Sequence, residues 1–227
     1  MKLETLWVRL CEGSARIVSH GSSEQAFRLV VNVDPSIDPD GNYPEPRPWA
    51  ILHALLLGTS RMAIALERAV TQSTVTWASS HALRACGATR ELRTVPVVLA
   101  AAAHAAAGVT NLDQIAGTNS VVDRRGITFL LPRVESAVRG RLGAVEFTAI
   151  QHCLQGHTTV HAAAQTQMSP QAISAGRARA FRKIGVGGRL ELISYLLRAQ
   201  YGVGLRGAAF DMPSHDRAVP PMRLSRP

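Results

Sequence analysis

Lysine is nearly missing from this 227-residue chain: only Lys2 and Lys183 stand among 25 cationic side chains, so arginine carries almost all the positive charge. A compact ammonium on a flexible stem is therefore available at only two positions, 2 and 183. Cysteine is scarce too: Cys11, Cys86 and Cys153 are odd in number and widely spaced, which excludes a disulfide scaffold and fits a reducing cytoplasm. Aromatics make up 5%, with Trp7, Trp49 and Trp77 scattered and three tyrosines, so no aromatic cluster for a small ligand can be read. The most apolar stretches, Trp49–Gly58 and Val95–Val109, fall short of the ~18 residues that a membrane helix needs. The start, MKLETLWVRL, carries an early Glu and makes a poor secretory signal. No Gly-rich loop follows a strand in a phosphate-binding pattern, and no acidic cluster suits acid–base work. The expectation is a soluble cytoplasmic protein, not an enzyme, with no cofactor.

What the chain does have is apolar content of 46%, enough for a real core, and a charge that is unevenly placed. Residues 1–139 carry a net of +2 and residues 140–227 a net of +7. A basic C-terminal part is what phosphate neutralisation requires. Within it, Met168-Ser169-Pro170-Gln171 is a helix start: Ser169 can accept from a first-turn N–H, and Pro170 suits the first helical position. The helix runs to Ile184 and stops at Gly185. Ile173, Ala180, Phe181 and Ile184 fall on one side; Gln171, Ser174, Ala175, Ala178, Arg179 and Arg182 fall on the other. One dry face and one basic face suit a helix lying in a DNA groove.

Around this helix the signposts resemble the LuxR/NarL-type (GerE-like) DNA-binding domain without a gap. They are Leu142, Glu146, Ala149-Ile150, Cys153-Leu154 and Gly156, then a short helix over Thr158 to Gln167. The Met168-Ser169 turn, Lys183-Ile184-Gly185-Val186 and Arg189-Leu190-Glu191-Leu192-Ile193 follow in order. The resemblance covers about a quarter of the chain and implies an all-α four-helix helix-turn-helix domain over residues 140–206 that binds double-stranded DNA and regulates transcription. The sequence departs from the family at His161-Ala162-Ala163 and Thr166, where a Glu, an Ile and a Leu are usual. The missing Glu removes half of a capping box, and the small residues thin the contact between helices. Gly176 in mid-helix costs about 1 kcal/mol in propensity.

The expected contacts follow from the exposed face. Gln171 and Arg179 should read base edges, with Ser174 and Ala175 beside them in the groove. Arg177, Arg182 and Lys183 should meet phosphate, as should Thr158 and Thr159 at the start of the preceding helix. Leu192, Ile193, Leu196 and Leu197 give the fourth helix more apolar surface than a three-helix core needs. The resemblance implies that this helix pairs two subunits, and ordinary core packing with Leu192 and Leu196 facing inward stands as the equal alternative. A homodimer is expected, with a heterodimer with another regulator left open.

Residues 1–139 read as an α/β domain with a largely parallel sheet. Strands are expected at Leu6–Leu10, Ala15–Val18, Phe27–Val33, Thr74–Ala78, Val95–Leu99 and Val121–Val122. Helices are expected over Trp49–Val70, weakened or bent at Gly58, over His81–Leu92, over Ala100–Ala107 and over Ile127–Val138. Ser36 to Pro48 reads as an exposed proline-rich loop, Gly140-Arg141 as a hinge, and residues 207–227 as a disordered tail. Such a domain resembles a response-regulator receiver, but a degenerate one, as in the group related to the RcsA and BglJ regulators. Asp34 comes too early in the chain, Ala100 stands where a hydroxyl is wanted, and no Lys lies between residues 3 and 182. Control by phosphorylation is therefore not expected.

Two constellations invite other chemistry. His152, Cys153, His157 and His161 lie within ten residues, yet their spacing suits no common zinc finger. Ser79-Ser80-His81 offers a nucleophile and a base, but adjacent residues point apart on a strand or a helix. Two alternatives to a DNA-binding regulator stay open: an interaction module that pairs with another regulator and modulates its DNA binding, and a small-molecule sensor.

Overall fold

The computed structural model describes residues 1–23, 28–34, 46–88, 92–112, 121–123, 126–131 and 135–203. The described chain is largely helical, with one four-stranded sheet. Leu3, Leu6, Trp7 and Leu10 recur at steps of three and four and are all buried, and they form helix α1 (Leu3–Cys11). The strand expected at Leu6–Leu10 is thus a helix, because the spacing of its apolar residues outweighs the β-like composition.

Strands β1 (Arg16–Ser23) and β2 (Arg28–Asp34) follow, then helices α2 (Pro46–Leu56), α3 (Arg61–Glu67), α4 (Gln72–Ala85) and α5 (Val95–Ala106). The expected helix over Trp49–Val70 is two helices. Gly58, at φ +94°, ends the first, and Ser60 caps the second by accepting from the Ala63 N–H. Pro46 and Pro48 lie in the first turn of α2, not in a loop; residues 35–45 fall outside the described set.

Two expected strands are also helices. Thr74–Ala78 belongs to α4, where Val75, Ala78, Ser79 and Ala82 form a buried stripe at helical spacing. Val95–Leu99 opens α5, with a Pro in its first turn and burial on every side from Val95 to His104. A short, wholly apolar run is compatible with either a buried strand or a buried helix, and the alanines that continue it decide for the helix.

The sheet closes with β3 (Val121–Asp123) and β4 (Gly126–Leu131), in the order β1-β2-β4-β3. Every pairing is antiparallel, which corrects the expected parallel sheet and does not fit a receiver. The helix expected over Ile127–Val138 is strand β4 and then a 3-10 helix, Glu135–Arg141. Ile127 and Phe129 alternate inward, pairing with Val33 and Val31 of β2, and all four are buried.

Four helices follow: α6 (Ala144–Leu154), α7 (Thr159–Thr166), α8 (Pro170–Ile184) and α9 (Arg189–Tyr201). They sit where the sequence placed them. The core, however, does not divide at residue 140. One continuous apolar cluster joins α1, the sheet, α2, α4 and α5 to Ile150, Ile184 and the length of α9. The supposed hinge Gly140-Arg141 lies within the 3-10 helix, beside buried Val138. Polar groups tie the same seam: His104 Nε2 lies 2.8 Å from the Leu56 carbonyl and 2.9 Å from Ser194 Oγ. Arg198 donates to the Leu57 carbonyl. Arg189 donates to the carbonyls of Arg93 and Leu154, each at 2.6 Å.

Candidate nucleic-acid interface

Helix α8 starts as its sequence requires. Ser169 Oγ accepts from the Ala172 N–H at 3.1 Å, and Pro170 occupies the first turn. It ends at Gly185, which takes φ +79°, a value that costs glycine little. Three residues join it to α7: Gln167, left-handed at φ +57°, then Met168 and Ser169. Helix α7 is capped by Thr158, whose Oγ1 accepts from the His161 N–H at 3.2 Å.

The two faces of α8 separate cleanly. Ile173, Gly176, Ala180 and Ile184 are buried, whereas Gln171, Ser174, Ala175, Ala178, Arg179, Arg182 and Lys183 are exposed. Thr158 is exposed and Thr159 half-buried at the start of α7. Arg177 differs from the expectation: it is half-buried and hydrogen-bonds Cys153 of α6, whose thiol burial pushes up.

Sequence reasoning missed what Glu146 does. Its carboxylate accepts from the Gly143 N–H at 3.0 Å, capping α6, and from Lys183 Nζ at 2.7 Å. Arg179 Nε lies 3.6 Å from its other oxygen. The Lys183 bond first, then the Gly143 bond, holds the Glu146 carboxyl below its usual range. Two of the proposed DNA contacts thus share one carboxylate; a pair 37 positions apart has no signature in a linear reading. Gly176 was also undervalued: a Cβ there would lie 3.1 Å from Val145 Cγ1 and 3.2 Å from the Val145 carbonyl. Its absence lets α8 cross close over α6.

The contact of α7 with α8 is thin. Ala149, Ala162, Ala163 and Ile173 form a small cluster of their own, with Met168 packed against it. Thr166, in place of an apolar residue, turns its hydroxyl back to the Ala162 carbonyl at 2.7 Å.

Of the two readings of the fourth helix, the structure shows core packing and corrects the dimer face. Leu192, Ile193, Leu196 and Leu197 are buried in the chain's own core, against α2, α5 and the 3-10 helix. They give α9 more apolar surface than a lone helical unit needs because the N-terminal helices cover it. In this structure they are not free to meet a second copy.

Of the grouped candidates for other chemistry, His152, His157 and His161 come together, while Cys153 points into the core beside Arg177. Ser79 and Ser80 both donate to the Thr76 carbonyl, and His81 stacks on Trp77, so they form no nucleophile–base pair. Asp34 ends β2; residues 204–227, including the expected tail, fall outside the described set. Among the described residues no helix is long and apolar enough to cross a membrane. Comparison with family models, characterised proteins and solved structures gives no match.

Proposed function

We propose that the chain is a sequence-specific, double-stranded-DNA-binding regulator of transcription, with α7 and α8 as its helix-turn-helix. The observation that carries this reading is the exposed side of α8. Gln171, Ser174, Arg179, Arg182 and Lys183 line it from the first turn of the 15-residue helix to the last, with Ala175 and Ala178 between them, while its opposite side is buried. A helix so presented fits a major groove, with Gln171 and Arg179 toward base edges and Arg182 and Lys183 toward phosphate. The net charge of +7 over residues 140–227 supports the same reading. Phosphorylation is not its control, since the only lysine beyond Lys2 is Lys183, on the proposed DNA face.

Selection of bound duplexes from random DNA with the full chain tests the proposal. A single enriched motif is expected. Arg179→Ala should weaken binding to that motif by about 1–3 kcal/mol and relax preference at one position. No enriched motif, or an unchanged motif and affinity in Arg179→Ala, would defeat the reading.

A further inference from the structure

Three imidazoles gather where α6 turns into α7. His152 Nδ1 and His157 Nδ1 are 2.8 Å apart, and their ring centroids are 5.1 Å apart. The centroid separation exceeds the N···N contact by little more than the two ring radii, so the nitrogens meet head-on. One nitrogen must carry a proton and the other must accept it, for two lone pairs or two N–H groups cannot face each other at that distance. The gap holds a proton and is too short for a metal ion between the rings. His161 packs edge-on against His157 at 4.4 Å between centroids.

The turn that holds this pair is also docked on the N-terminal half. Gly156, at φ +76°, lies so close to Arg93 that an added Cβ would come 2.6 Å from the Arg93 Cβ and 3.1 Å from its carbonyl oxygen. Arg189, from the start of α9, spans the carbonyls of Arg93 and Leu154 on either side of the turn. Among the described residues, charged and titratable groups from several neighbouring elements act on the pair. They are His161 on α7, Arg93 before α5 and Arg189 on α9. On helix α8, Arg177 bonds to Cys153, the residue after His152. His161 and the three arginines are all basic.

We propose that His152 and His157 form a proton-sensitive latch that keeps the α6–α7 turn docked on the segment around Arg93. In the neutral pair one Nδ1–H donates to the other Nδ1. A first added proton can settle on the donor ring's Nε2 and leave the bond intact. A second must go to the accepting Nδ1, which turns two partners into two facing donors, each cationic, beside Arg93 and Arg189. The bond is then lost and like charge drives the turn away from Arg93. Burial first, then His161, His152, Arg93 and Arg189, pushes His157 down to about 4, and burial lowers His152 as well. The latch is therefore closed at neutral pH and opens only on marked acidification. Any effect on DNA rests on the function proposed above; the latch itself does not, and its test uses no DNA.

The test is nitrogen NMR of the histidine side chains in the full chain, followed from neutral pH downward together with backbone hydrogen exchange. A coupling between the two Nδ1 atoms is expected at neutral pH. On acidification it should disappear together with protection of the amides over residues 155–161, while amides of α1 and α5 stay protected. A protection loss of about tenfold or more in the turn is expected ahead of global opening. His157→Phe should remove the pH step in the turn, and His152→Phe should do the same where the first variant does not fold. Independent titration of both rings near the ordinary histidine value, protection lost only with global unfolding, or an acid step that survives in a folded variant each overturns the proposal.

Discussion

The seam between the N-terminal helices and α9 is built quite differently from the packing of α7 on α8. The seam is large and dense: Leu52, Leu55, Leu99, Leu192, Leu196 and Leu197 are all at 1% exposure or less, and His104 and Ser194 bridge it within the core. The other contact is small: Ala162 and Ala163 of α7 meet Ile173 of α8, with Ala149 of α6 in the same cluster and Met168 at its edge. Helix α8 itself joins the main core through Ala180 and Ile184 and crosses closely over α6 at Gly176, with Glu146 and Arg177 adding polar ties. Stability thus resides in the seam and in the crossing of α8 over α6, while α7, the first helix of the proposed helix-turn-helix, is attached more lightly. Elements that must adjust to a partner are drawn from the less stable parts of a fold.

The largest effect expected from breaking this contrast is at the seam. Leu196→Ala should cost about 2–5 kcal/mol, read by urea denaturation, and should lower the unfolding midpoint of both halves together. Ala162→Gly in α7 should cost only about 1 kcal/mol. If Leu196→Ala left the N-terminal helices at their original midpoint, the single core would be wrong.

Acid should weaken the seam through His104. Burial, the main cause, pushes this imidazole down to about 4, below its ordinary value. Its folded pKa is the lower one, so the unfolded chain binds the proton more readily. The contribution is present above pH ~6.5 and is lost as pH falls toward about 4, on the order of 3 kcal/mol in all. Urea midpoints measured across that range should fall with pH, and His104→Gln should flatten the fall. A slope unchanged in that variant would remove His104 from the account.

The smallest effect is expected at the exposed face of α8. Glu146→Gln keeps the shape but removes the charge that Lys183 and Arg179 share. Both cations are about half exposed, where ion pairs contribute little to stability. The unfolding midpoint should hardly move. The bound-sequence preference should broaden, because Arg179 loses the group that orients it. A preference as sharp as that of the unaltered chain would show that Glu146 positions nothing.

The contrast also marks where the sequence could be read. Residues 142–201 carry local signals: a Ser cap and Pro at one end of α8, Gly185 at the other, and an apolar stripe between. Those signals are short-range, so helix limits and the exposed face were legible. The N-terminal half was legible in part: the strands expected at Ala15–Val18, Phe27–Val33 and Val121–Val122 overlap β1, β2 and β3. Leu6–Leu10, Thr74–Ala78 and Val95–Leu99 are helical instead, because their strand-like composition is overridden by helical spacing or a helical continuation. Thr74-Val75-Thr76 has strand-like composition, yet only the spacing of Val75, Ala78 and Ala82 shows the helix. The fate of Leu192, Ile193, Leu196 and Leu197 could not be read at all. An apolar face shows that something covers it, and nothing in α9 says whether a second copy or the same chain does.

The measurement that tests the central claim most directly is the salt dependence of duplex binding by the full chain and by Lys183→Ala. The affinity should fall steeply as salt rises, and Lys183→Ala should weaken all sequences alike and reduce the slope by about one unit. Binding that ignores salt, or a slope that Lys183→Ala leaves unchanged, would contradict the assignment of the α8 face to DNA.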